Sequence, residues 1–341
     1  MLKSIQLGIA ALGAGVALVA CGRAPRSGRA AWSDPTPHRV SFVSVAPGVR
    51  LEVVDWGGNG PALVFLSGLQ DVAHGFDAFA PTFIDRFHVL GVTRRGYGAS
   101  SQPAAGYDIA TRVADLRAVL DSLHLAIVSL VGHSIAGDEL TAFAGAYPAR
   151  VAKLVYFDAS YDHSGLDTLL AGFPSPPAPT SADSASPAAF QAYTLATWGM
   201  LIPESQIRAV EVFGADGRLL RNVTPDSIDA AVLRGTGHPD YAAVRAPALA
   251  FCAVPDSAPA MLRYWGQLND STRMAGRVWV RKLQAYGERE RARFERGVPR
   301  ARVVLLPGAN HYVFFSNRDT VVAEMRAFLE GGPATPDGRG H

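Results

Sequence analysis

The spacing of apolar residues changes along the chain and separates strands from helices. Residues 40–46 and 49–56 alternate apolar and polar positions around Pro47 and Gly48, which predicts a β-hairpin. Later apolar runs are continuous, and such runs are typical of strands buried on both faces of a parallel sheet. These predicted strands are residues 62–66, 88–92, 127–131, 151–157, 248–254 and 301–306.

Helical periods occupy most of the segments between these strands. Apolar residues recur there with the period of about 3.6 residues that is expected of one helix face. The predicted helices are residues 76–87, 109–123, 139–147, 261–298 and 320–329. Because strands and helices alternate from residue 61 to 160, the sequence predicts the α/β class with a doubly wound, mostly parallel sheet. The segment from Arg281 is heavily charged, and we expect this helix face in solvent.

The alternation of strands and helices stops after the strand at 151–157. Residues 162–241 contain a Pro-, Ser- and Ala-rich loop at 172–187 and helical pieces with aromatic side chains. An insertion of this kind predicts a helical cap over the edge of the sheet, with an ordinary surface loop as the alternative. The predicted domains are a core at 38–161 and 242–330, a cap at 162–241 and a disordered tail at 331–341.

The N-terminal residues resemble a targeting sequence. Lys3 precedes an apolar run at residues 5–20 that is too short to span a bilayer comfortably. The run ends Leu18-Val19-Ala20-Cys21-Gly22, which resembles the lipobox of a bacterial lipoprotein signal peptide. That resemblance implies that Cys21 carries the lipid. An ordinary secretory signal peptide and a short membrane anchor are the alternatives.

This N-terminus also predicts where the folded part resides. With a signal peptide at 1–21 and a flexible Gly-, Pro- and Arg-rich tether at 22–37, the protein is expected to be extracytoplasmic. It is expected to be anchored by lipid to a bacterial membrane, at the periplasmic face or the cell surface. If the lipobox is not used, the protein is expected to be secreted.

Composition adds little to this outline but argues against one class of partner. The chain has 341 residues, 48% hydrophobic and 18% charged, which are ordinary values for a globular protein. Its formal net charge is +2, and no basic cluster is interleaved with aromatic residues, so nucleic-acid binding is not expected. The two cysteines are Cys21 and Cys252, and modification of the first leaves no intrachain disulfide.

One short stretch carries candidate chemistry. Gly132-His133-Ser134-Ile135-Ala136-Gly137 lies between a predicted strand and a predicted helix. In a nucleophile elbow the serine occupies a strained turn that exposes its hydroxyl, and small residues beside it let strand and helix approach closely. The amide of Ile135, at the helix N-terminus, is then placed to stabilise an oxyanion. A simple Gly-Ser turn is the alternative interpretation.

Two further residues complete a candidate triad with Ser134. Asp256 follows the strand at 248–254, and His311 lies in the loop after the last strand. Parallel strands bring such residues to their shared carboxyl edge. Asp158, at the end of the strand at 151–157, is the alternative acid, because the acid must reach the imidazole and only geometry decides.

The chain resembles the α/β-hydrolase superfamily, in its serine hydrolase branch, over residues 38–330. The segments that carry the resemblance are Gly132-His133-Ser134-Ile135-Ala136-Gly137, Arg95-Gly96-Tyr97-Gly98-Ala99-Ser100, Ser67-Gly68-Leu69 and Gly308-Ala309-Asn310-His311. The resemblance implies an α/β-hydrolase fold with an inserted helical cap. It also implies that Ser134 is the nucleophile, that His311 is the base, and that the amides of Ile135 and Leu69 form the oxyanion hole.

The chain departs from the family pattern at three places. Ser67 stands where the family often has histidine, and Ala136 stands where the elbow usually has a second glycine. The spacing from Asp256 to His311 is longer than usual, which puts the acid in question. Three other histidines have structural interpretations: His133 is expected to pack under the elbow, and His74 and His163 to line the pocket entrance.

These residues predict a serine hydrolase that cleaves a small or medium hydrophobic carboxylic ester through an acyl-enzyme. A C–C bond hydrolase, an amidase or aminopeptidase, and a cofactor-free perhydrolase are alternatives that use the same residues. A non-catalytic, lipid-anchored binding protein is the alternative of another class. The expected partners are an acyl substrate, water and, through Cys21, a membrane. No cofactor is expected, and no metal, because no His, Cys or Asp grouping has metal-ligand spacing.

Overall fold

A computed structural model describes residues 32–331 of this chain. The predicted signal peptide at 1–21 and the tail from residue 332 lie outside the described residues, as does most of the tether at 22–37. Within residues 32–331, no helix has both the length and the hydropathy that crossing a bilayer requires.

An eight-stranded sheet forms the centre of the protein, with the strand order β1-β2-β4-β3-β5-β6-β9-β10. In chain order, the strands are β1 (Arg39–Ala46), β2 (Val49–Gly57), β3 (Ala62–Leu66), β4 (His88–Val92), β5 (Val128–His133), β6 (Val151–Phe157), β7 (Glu211–Phe213), β8 (Leu219–Asn222), β9 (Ala248–Val254) and β10 (Ala301–Pro307). β2 is antiparallel to β1 and β4, the other pairs of this sheet are parallel, and β7 and β8 form a separate ribbon. The predicted α/β class with a mostly parallel sheet is confirmed.

Helices connect the strands and cover both faces of the sheet. They are α1 (Ile109–Ser122), α2 (Ala136–Ala146), α3 (Leu166–Leu170), α4 (Pro187–Trp198), α5 (Glu204–Val210), α6 (Asp226–Arg234), α7 (Ala258–Met261), α8 (Asp270–Gly297), α9 (Val313–Ser316) and α10 (Arg318–Leu329). Local side chains determine where several begin. The carboxylate of Asp108 accepts from the Thr111 amide at the start of α1, and the Asn269 amide oxygen accepts from the Thr272 amide at the start of α8.

Successive residues of the central strands enter two separate hydrophobic layers. Leu130 and Leu154 pack in the layer that includes α1, α2 and Phe294 of α8. Val131 and Val155 pack in the opposite layer, which includes α10. Because both faces of each strand are covered, both sets of positions must be apolar, and this requirement produces the continuous apolar runs of the sequence.

One predicted helix is wrong. Residues 76–87 contain no α-helix. The chain forms two 3₁₀ turns in this region, one at Ala73–Phe76 and one at Ala80–Phe83. Pro81 lies within the second turn, and proline removes a backbone donor and clashes with the preceding turn of an α-helix. The apolar period of the segment is still used, because Phe79 and Phe83 pack their rings on Phe65 of β3.

The cap draws on two stretches of the chain. Residues 162–241 contain α3 to α6 and the β7–β8 ribbon. The first half of α8 joins them, because the buried rings of Trp279 and Tyr264 share a hydrophobic cluster with Phe173 and Trp198. The second half of α8 returns to the core through Phe294, which is fully buried. The charged segment predicted as a solvated face therefore also has a buried side.

Candidate active site

The chain turns sharply at Ser134, the residue that follows β5. Ser134 has φ +54°, a left-handed backbone that non-glycine residues adopt only at a cost. Two hydrogen bonds hold the turn: the Ser134 amide donates to the Phe157 carbonyl (3.1 Å), and the Gly137 amide donates to the Ser134 carbonyl (2.9 Å). The residue is half-buried, and α2 begins two residues later. This is the geometry of a nucleophile elbow.

The elbow carries Ala136 where a second glycine is usual, and α2 approaches its surroundings most closely one residue later. The tightest contact involves Gly137, where an added Cβ would lie 1.8 Å from the carbonyl oxygen of Ala159. On the strand side, a Cβ on Gly132 would lie 2.7 Å from a methyl group of Leu140. Glycine is therefore required at position 137, whereas the alanine at 136 is accommodated and fully buried.

A carboxylate and an imidazole meet beside this turn. Nδ1 of His311 lies 2.6 Å from Oδ2 of Asp158, the residue that follows β6. The other carboxylate oxygen, Oδ1, accepts from the amide of Ala253 (3.0 Å) and from the hydroxyl of Tyr161. Burial and the Asp158 charge raise the pKa of Tyr161 well above its usual value, so this phenol is a neutral donor. With Nδ1 engaged by Asp158, Nε2 of His311 remains available to a nucleophile.

The structure does not bring Asp256, the preferred acid of the sequence analysis, to His311. Asp256 is exposed, and its backbone carbonyl accepts a hydrogen bond from Nε2 of Gln284 (2.9 Å). Asp256 lies two residues beyond the end of β9, whereas Asp158 follows β6 directly, and β6 is the neighbour of β5. The alternative acid Asp158 therefore takes the position next to the elbow.

His133 packs under the elbow, as its place beside the serine predicts. Its ring centroid lies 4.6 Å from that of His311 and 4.4 Å from that of Tyr312. Nε2 of His133 lies 3.2 Å from the backbone carbonyl of His311. Complete burial of the ring lowers the pKa of His133, which favours a neutral imidazole. The ring therefore supports the His311 loop from below.

The loop after β3 lies beside the elbow because β3 and β5 are neighbours. Leu66 pairs with Gly132 in their register, and a Cβ on Gly68 would lie 2.8 Å from Nδ1 of His133. Leu69 packs in the same hydrophobic cluster as Ile135. The two residues predicted to supply oxyanion amides are therefore neighbours in the fold.

Comparison with known proteins places these features in a family. Residues 63–324 match a family model described as the alpha/beta hydrolase family. The chain belongs to the α/β-hydrolase family. Its elbow, its histidine loop and the neighbouring carboxylate lie at the edge of the sheet where an α/β-hydrolase carries its active site.

Two solved structures resemble this α/β-hydrolase over most of its length. The crystal structure of E-2-(acetamidomethylene)succinate hydrolase covers 86% of this chain and 100% of its own, with a TM-score of 0.64 and 22% identity. An esterase from a Rhodococcus species covers 85% of this chain and 98% of its own, with a TM-score of 0.56 and 19% identity. At these identities the two structures bear on the fold alone.

One curated relative is similar over a shorter stretch. The non-heme chloroperoxidase of Streptomyces lividans is 35% identical over 120 residues, which are 34% of this chain and 44% of that protein. The match thus spans less than half the length of this relative.

A buried arginine that sequence reasoning did not assign to the site holds the loop after β3. Arg94 donates from Nη2 to the Ser67 carbonyl (2.8 Å) and from Nη1 to the Gly68 carbonyl (3.0 Å). Its Nε donates to Oε1 of Glu139 on α2 (2.7 Å). Burial lowers the pKa of Arg94, but attraction to Glu139 outweighs burial and raises it. The pairing of arginine with a carboxylate from a helix distant in sequence leaves no local motif.

Two cap side chains hold the same loop from the other side. Gln206 of α5 accepts from the Val72 amide (3.2 Å) and donates to Oδ1 of Asp71 (2.9 Å). Asp229 of α6 accepts from Nε2 of Gln70 (2.7 Å), a residue with φ +67°. The cap of this α/β-hydrolase therefore contacts the loop after β3 directly.

The two histidines expected at the pocket entrance are buried instead. His163 lies with Nδ1 3.1 Å from Oδ1 of Asp138, and its side chain is almost completely covered. His74 lies 3.0 Å from Asp77 in a buried cluster below the loop. Each ring can be buried because it lies within hydrogen-bonding distance of a buried carboxylate.

Proposed function

We propose that this α/β-hydrolase is a serine hydrolase that cleaves a small or medium hydrophobic carboxylic ester. The observation that carries the proposal is the 2.6 Å contact between His311 and Asp158 beside the left-handed turn at Ser134. In this proposal Ser134 is the nucleophile, His311 the general base and Asp158 the acid of the triad. The amides of Ile135 and Leu69 form the oxyanion hole.

The reaction then proceeds in two halves. Nε2 of His311 takes the Ser134 proton as Oγ attacks the acyl carbonyl, and the two amides stabilise the oxyanion. His311 returns the proton to the departing alcohol. Water, activated by the same imidazole, then attacks the acyl-enzyme and releases the carboxylic acid. Asp158 orients the imidazole and stabilises its protonated form throughout.

The cap supports a hydrophobic substrate. α4 ends beside the loop that carries His311, where Nδ2 of Asn310 donates to the carbonyl of Trp198 (2.9 Å). Trp198 stacks on Phe173 with a centroid distance of 6.2 Å, and Leu195 of α4 is 41% exposed. Apolar and aromatic walls with a few polar groups are typical of sites that accept hydrophobic small molecules.

Ester hydrolysis by the full chain, purified in detergent, tests this function. p-Nitrophenyl esters of increasing acyl length should be hydrolysed best at short or medium length. Ser134→Ala should reduce the rate by a factor of about 10⁴ or more, and a fluorophosphonate probe should label wild type but not this variant. Ser164→Ala, which changes a serine of the cap, is the matched control and should retain both signals.

A different outcome would select the non-catalytic interpretation. A folded wild-type chain that hydrolyses no ester and takes up no fluorophosphonate would indicate a binding protein on a hydrolase scaffold. Labelling of Ser134 without ester hydrolysis would retain the serine hydrolase and replace the ester by an amide or a C–C substrate.

A second candidate function is cofactor-free perhydrolysis. The observation that favours it is the 35% identity to a non-heme chloroperoxidase over 120 residues. In this reaction hydrogen peroxide replaces water in the attack on the acyl-enzyme, so that a peracid leaves instead of a carboxylic acid. Peracid formation from an acetate ester and hydrogen peroxide, lost in Ser134→Ala, would establish this activity.

We also propose that the protein is held outside the cytoplasm by lipid on Cys21. The supporting observation is the apolar run that ends Leu18-Val19-Ala20-Cys21-Gly22. Expression in a bacterium that processes lipoproteins should give a membrane-bound product that incorporates labelled fatty acid. Cys21→Ser should lose the label; continued incorporation of fatty acid would exclude this cysteine as the site.

A further inference from the structure

Four side chains of the kinds that bind metals meet between the N-terminal segment and the loop after β3. Asp34 and His38 lie just before β1, and His74 and Asp77 lie in and just after the turn at Ala73–Phe76. One oxygen or nitrogen of each lies within 4.8 Å of the others. The pairs are separated by a whole hairpin and a strand, so sequence spacing did not indicate this group.

The distances within the cluster are close to those of a coordination site. Nδ1 of His74 lies 3.0 Å from Oδ2 of Asp77 and 3.9 Å from Oδ2 of Asp34. Nδ1 of His38 lies 4.0 Å from Oδ1 of Asp77. Two ligands with bonds of about 2.0–2.2 Å to one ion are at most about 4.4 Å apart, so small side-chain rotations complete the set.

His38 has a free, buried nitrogen that faces this cluster. Its side chain is only 7% exposed, and among residues 32–331 its Nδ1 has no hydrogen-bond partner. Its Nε2 lies 3.9 Å from Oδ2 of Asp34, beyond hydrogen-bonding distance. A buried polar atom without a partner destabilises a fold, and a bound metal ion would supply the missing partner.

The charges of the cluster also favour a cation. Asp34, Asp77 and Glu52 contribute three carboxylates, and the side chains of Asp77 and Glu52 are at most 5% exposed. Within the described chain, their ion-pair partners at 4.0 Å or less are the two histidines, with no lysine or arginine among them. Buried carboxylates are normally paired with a cation or bound to a metal.

Other groups orient the four side chains. Trp56 donates to Oδ1 of Asp77 (2.9 Å), and Ser205 of the cap donates to Oδ2 (2.6 Å). The Thr36 amide donates to Oδ1 of Asp34 (2.9 Å), which leaves Oδ2 toward the histidines. Oε1 of Glu52 lies 3.8 Å from Nε2 of His74. A carboxylate behind a histidine and donors behind a carboxylate are the usual supports of metal ligands.

The geometry points to a structural binding site for a divalent cation of the zinc type, formed by Asp34, His38, His74 and Asp77. Two imidazoles and two carboxylates suit zinc better than calcium or magnesium, which prefer oxygen ligands alone. Four protein ligands leave no open position for substrate, so the ion has a structural role. The ion connects the segment before β1 to the loop after β3. This inference is independent of the proposed ester hydrolysis.

Metal binding by the full chain in detergent tests the site directly. The protein is stripped with EDTA, its fold is checked by circular dichroism, and zinc is titrated in competition with a chromophoric chelator. One equivalent should bind, and Co²⁺ in place of zinc should give visible d–d bands of a four-coordinate site. Zinc should also raise the melting temperature.

Two ligand variants and one control make the test specific. His38→Gln and Asp34→Asn should each weaken zinc binding at least about 10-fold and abolish the rise in melting temperature. His38 is suited to substitution because its ring makes no hydrogen bond that the fold requires. His88→Gln changes another histidine beside a carboxylate, Asp55 at 3.1 Å, and should bind zinc like wild type. Absence of stoichiometric binding to the folded chain, or full binding by both ligand variants, would overturn the site.

Discussion

Ser134 and Asp158 occupy equivalent positions at the ends of two neighbouring strands. His133 pairs with Phe157 in the β5–β6 register, and the residue after each has a left-handed backbone, with φ +54° at Ser134 and φ +44° at Asp158. The Ser134 amide donates to the carbonyl of Phe157, the residue before Asp158. The candidate nucleophile and the candidate acid are thus connected through one backbone hydrogen bond, and their relative position does not depend on any loop.

The first prediction concerns the acid of the triad. Asp158→Asn should reduce kcat/KM for a p-nitrophenyl ester by about 10³- to 10⁴-fold, because the amide favours the wrong tautomer of His311. Asp256→Asn should change kcat/KM by less than about 2-fold, because surface side chains away from the site have small effects. Steady-state kinetics of both variants on the full chain provide the measurement. A severe loss in Asp256→Asn together with an active Asp158→Asn would contradict the assignment.

The second prediction assigns a positioning role to Tyr161. Tyr161→Phe removes the hydroxyl that donates to Oδ1 of Asp158 and leaves the Ala253 amide as the donor to that oxygen. A hydrogen bond to a charged group contributes about 1.5–3 kcal/mol, so kcat should fall about 10-fold or more while KM stays constant. Tyr286→Phe is the matched control, because that hydroxyl donates to the carbonyl of Asp162. Equal kcat in the two variants would remove the role.

The third prediction links the cap to catalysis. Gln206→Ala removes both hydrogen bonds between α5 and the loop at Asp71 and Val72. The Leu69 amide should then be less well placed, and kcat should fall about 10- to 100-fold, within the range found when an oxyanion donor is weakened or lost. Gln191→Ala, which removes a glutamine bonded to the Ile202 carbonyl within the cap, should leave kcat unchanged. An effect confined to KM would indicate that the cap acts on binding alone.

The fourth prediction is a pH dependence of stability. Burial raises the pKa of Asp162, but hydrogen bonds from Ser164, His238 and Arg293 outweigh burial and hold that pKa well below its usual value. The stabilisation is therefore fully present above the ordinary aspartate pKa of about 3.9 and is lost as the pH falls below it.

Melting temperatures at pH 6 and below pH 4 provide the measurement for Asp162. The wild-type melting temperature should fall between the two conditions, and Asp162→Asn should show a smaller fall from a lower starting point. Asp256→Asn, which changes an exposed aspartate, should follow wild type. An equal fall in Asp162→Asn and wild type would show that this carboxylate does not contribute.

The fifth prediction uses the two cysteines to read out lipidation. Cys252 is 3% exposed, and burial raises the pKa of its thiol to about 12, so it should not react with a thiol reagent while the chain is folded. Any rapid reaction of the folded wild-type chain then reports a free Cys21. A lipidated chain should show none until denaturant exposes Cys252. Rapid labelling of the folded Cys21→Ser variant would show that Cys252 is accessible after all.

The sheet was predictable because its strands are chemically uniform. Residues such as Leu130 and Val131 are apolar in succession because each faces a different hydrophobic layer. The structure of residues 76–87 was not predictable, because their apolar residues recur with the period of a helix whereas Pro81 prevents an α-helix. Local backbone chemistry overrode periodicity there.

The site was predictable only where its residues carry a local signal. Ser134 lies in a recognisable strand–turn–helix context, and His311 follows the last strand. The choice between Asp158 and Asp256 depends on tertiary geometry, because both follow apolar strands and the sequence does not tell which carboxylate reaches His311. Arg94 and Tyr161 act through partners that are distant in sequence or hidden behind the carboxylate, so no spacing marks them.

The attachment of Gln206 and Asp229 to the loop at residues 70–72 limits how this protein can be recombined. A chimera that exchanged the cap alone would leave the loop after β3 without its amide and carboxylate partners. The loop after β3 and the cap have to be exchanged together. Crossover points for a functional hybrid must therefore lie before β3 or enclose both segments together.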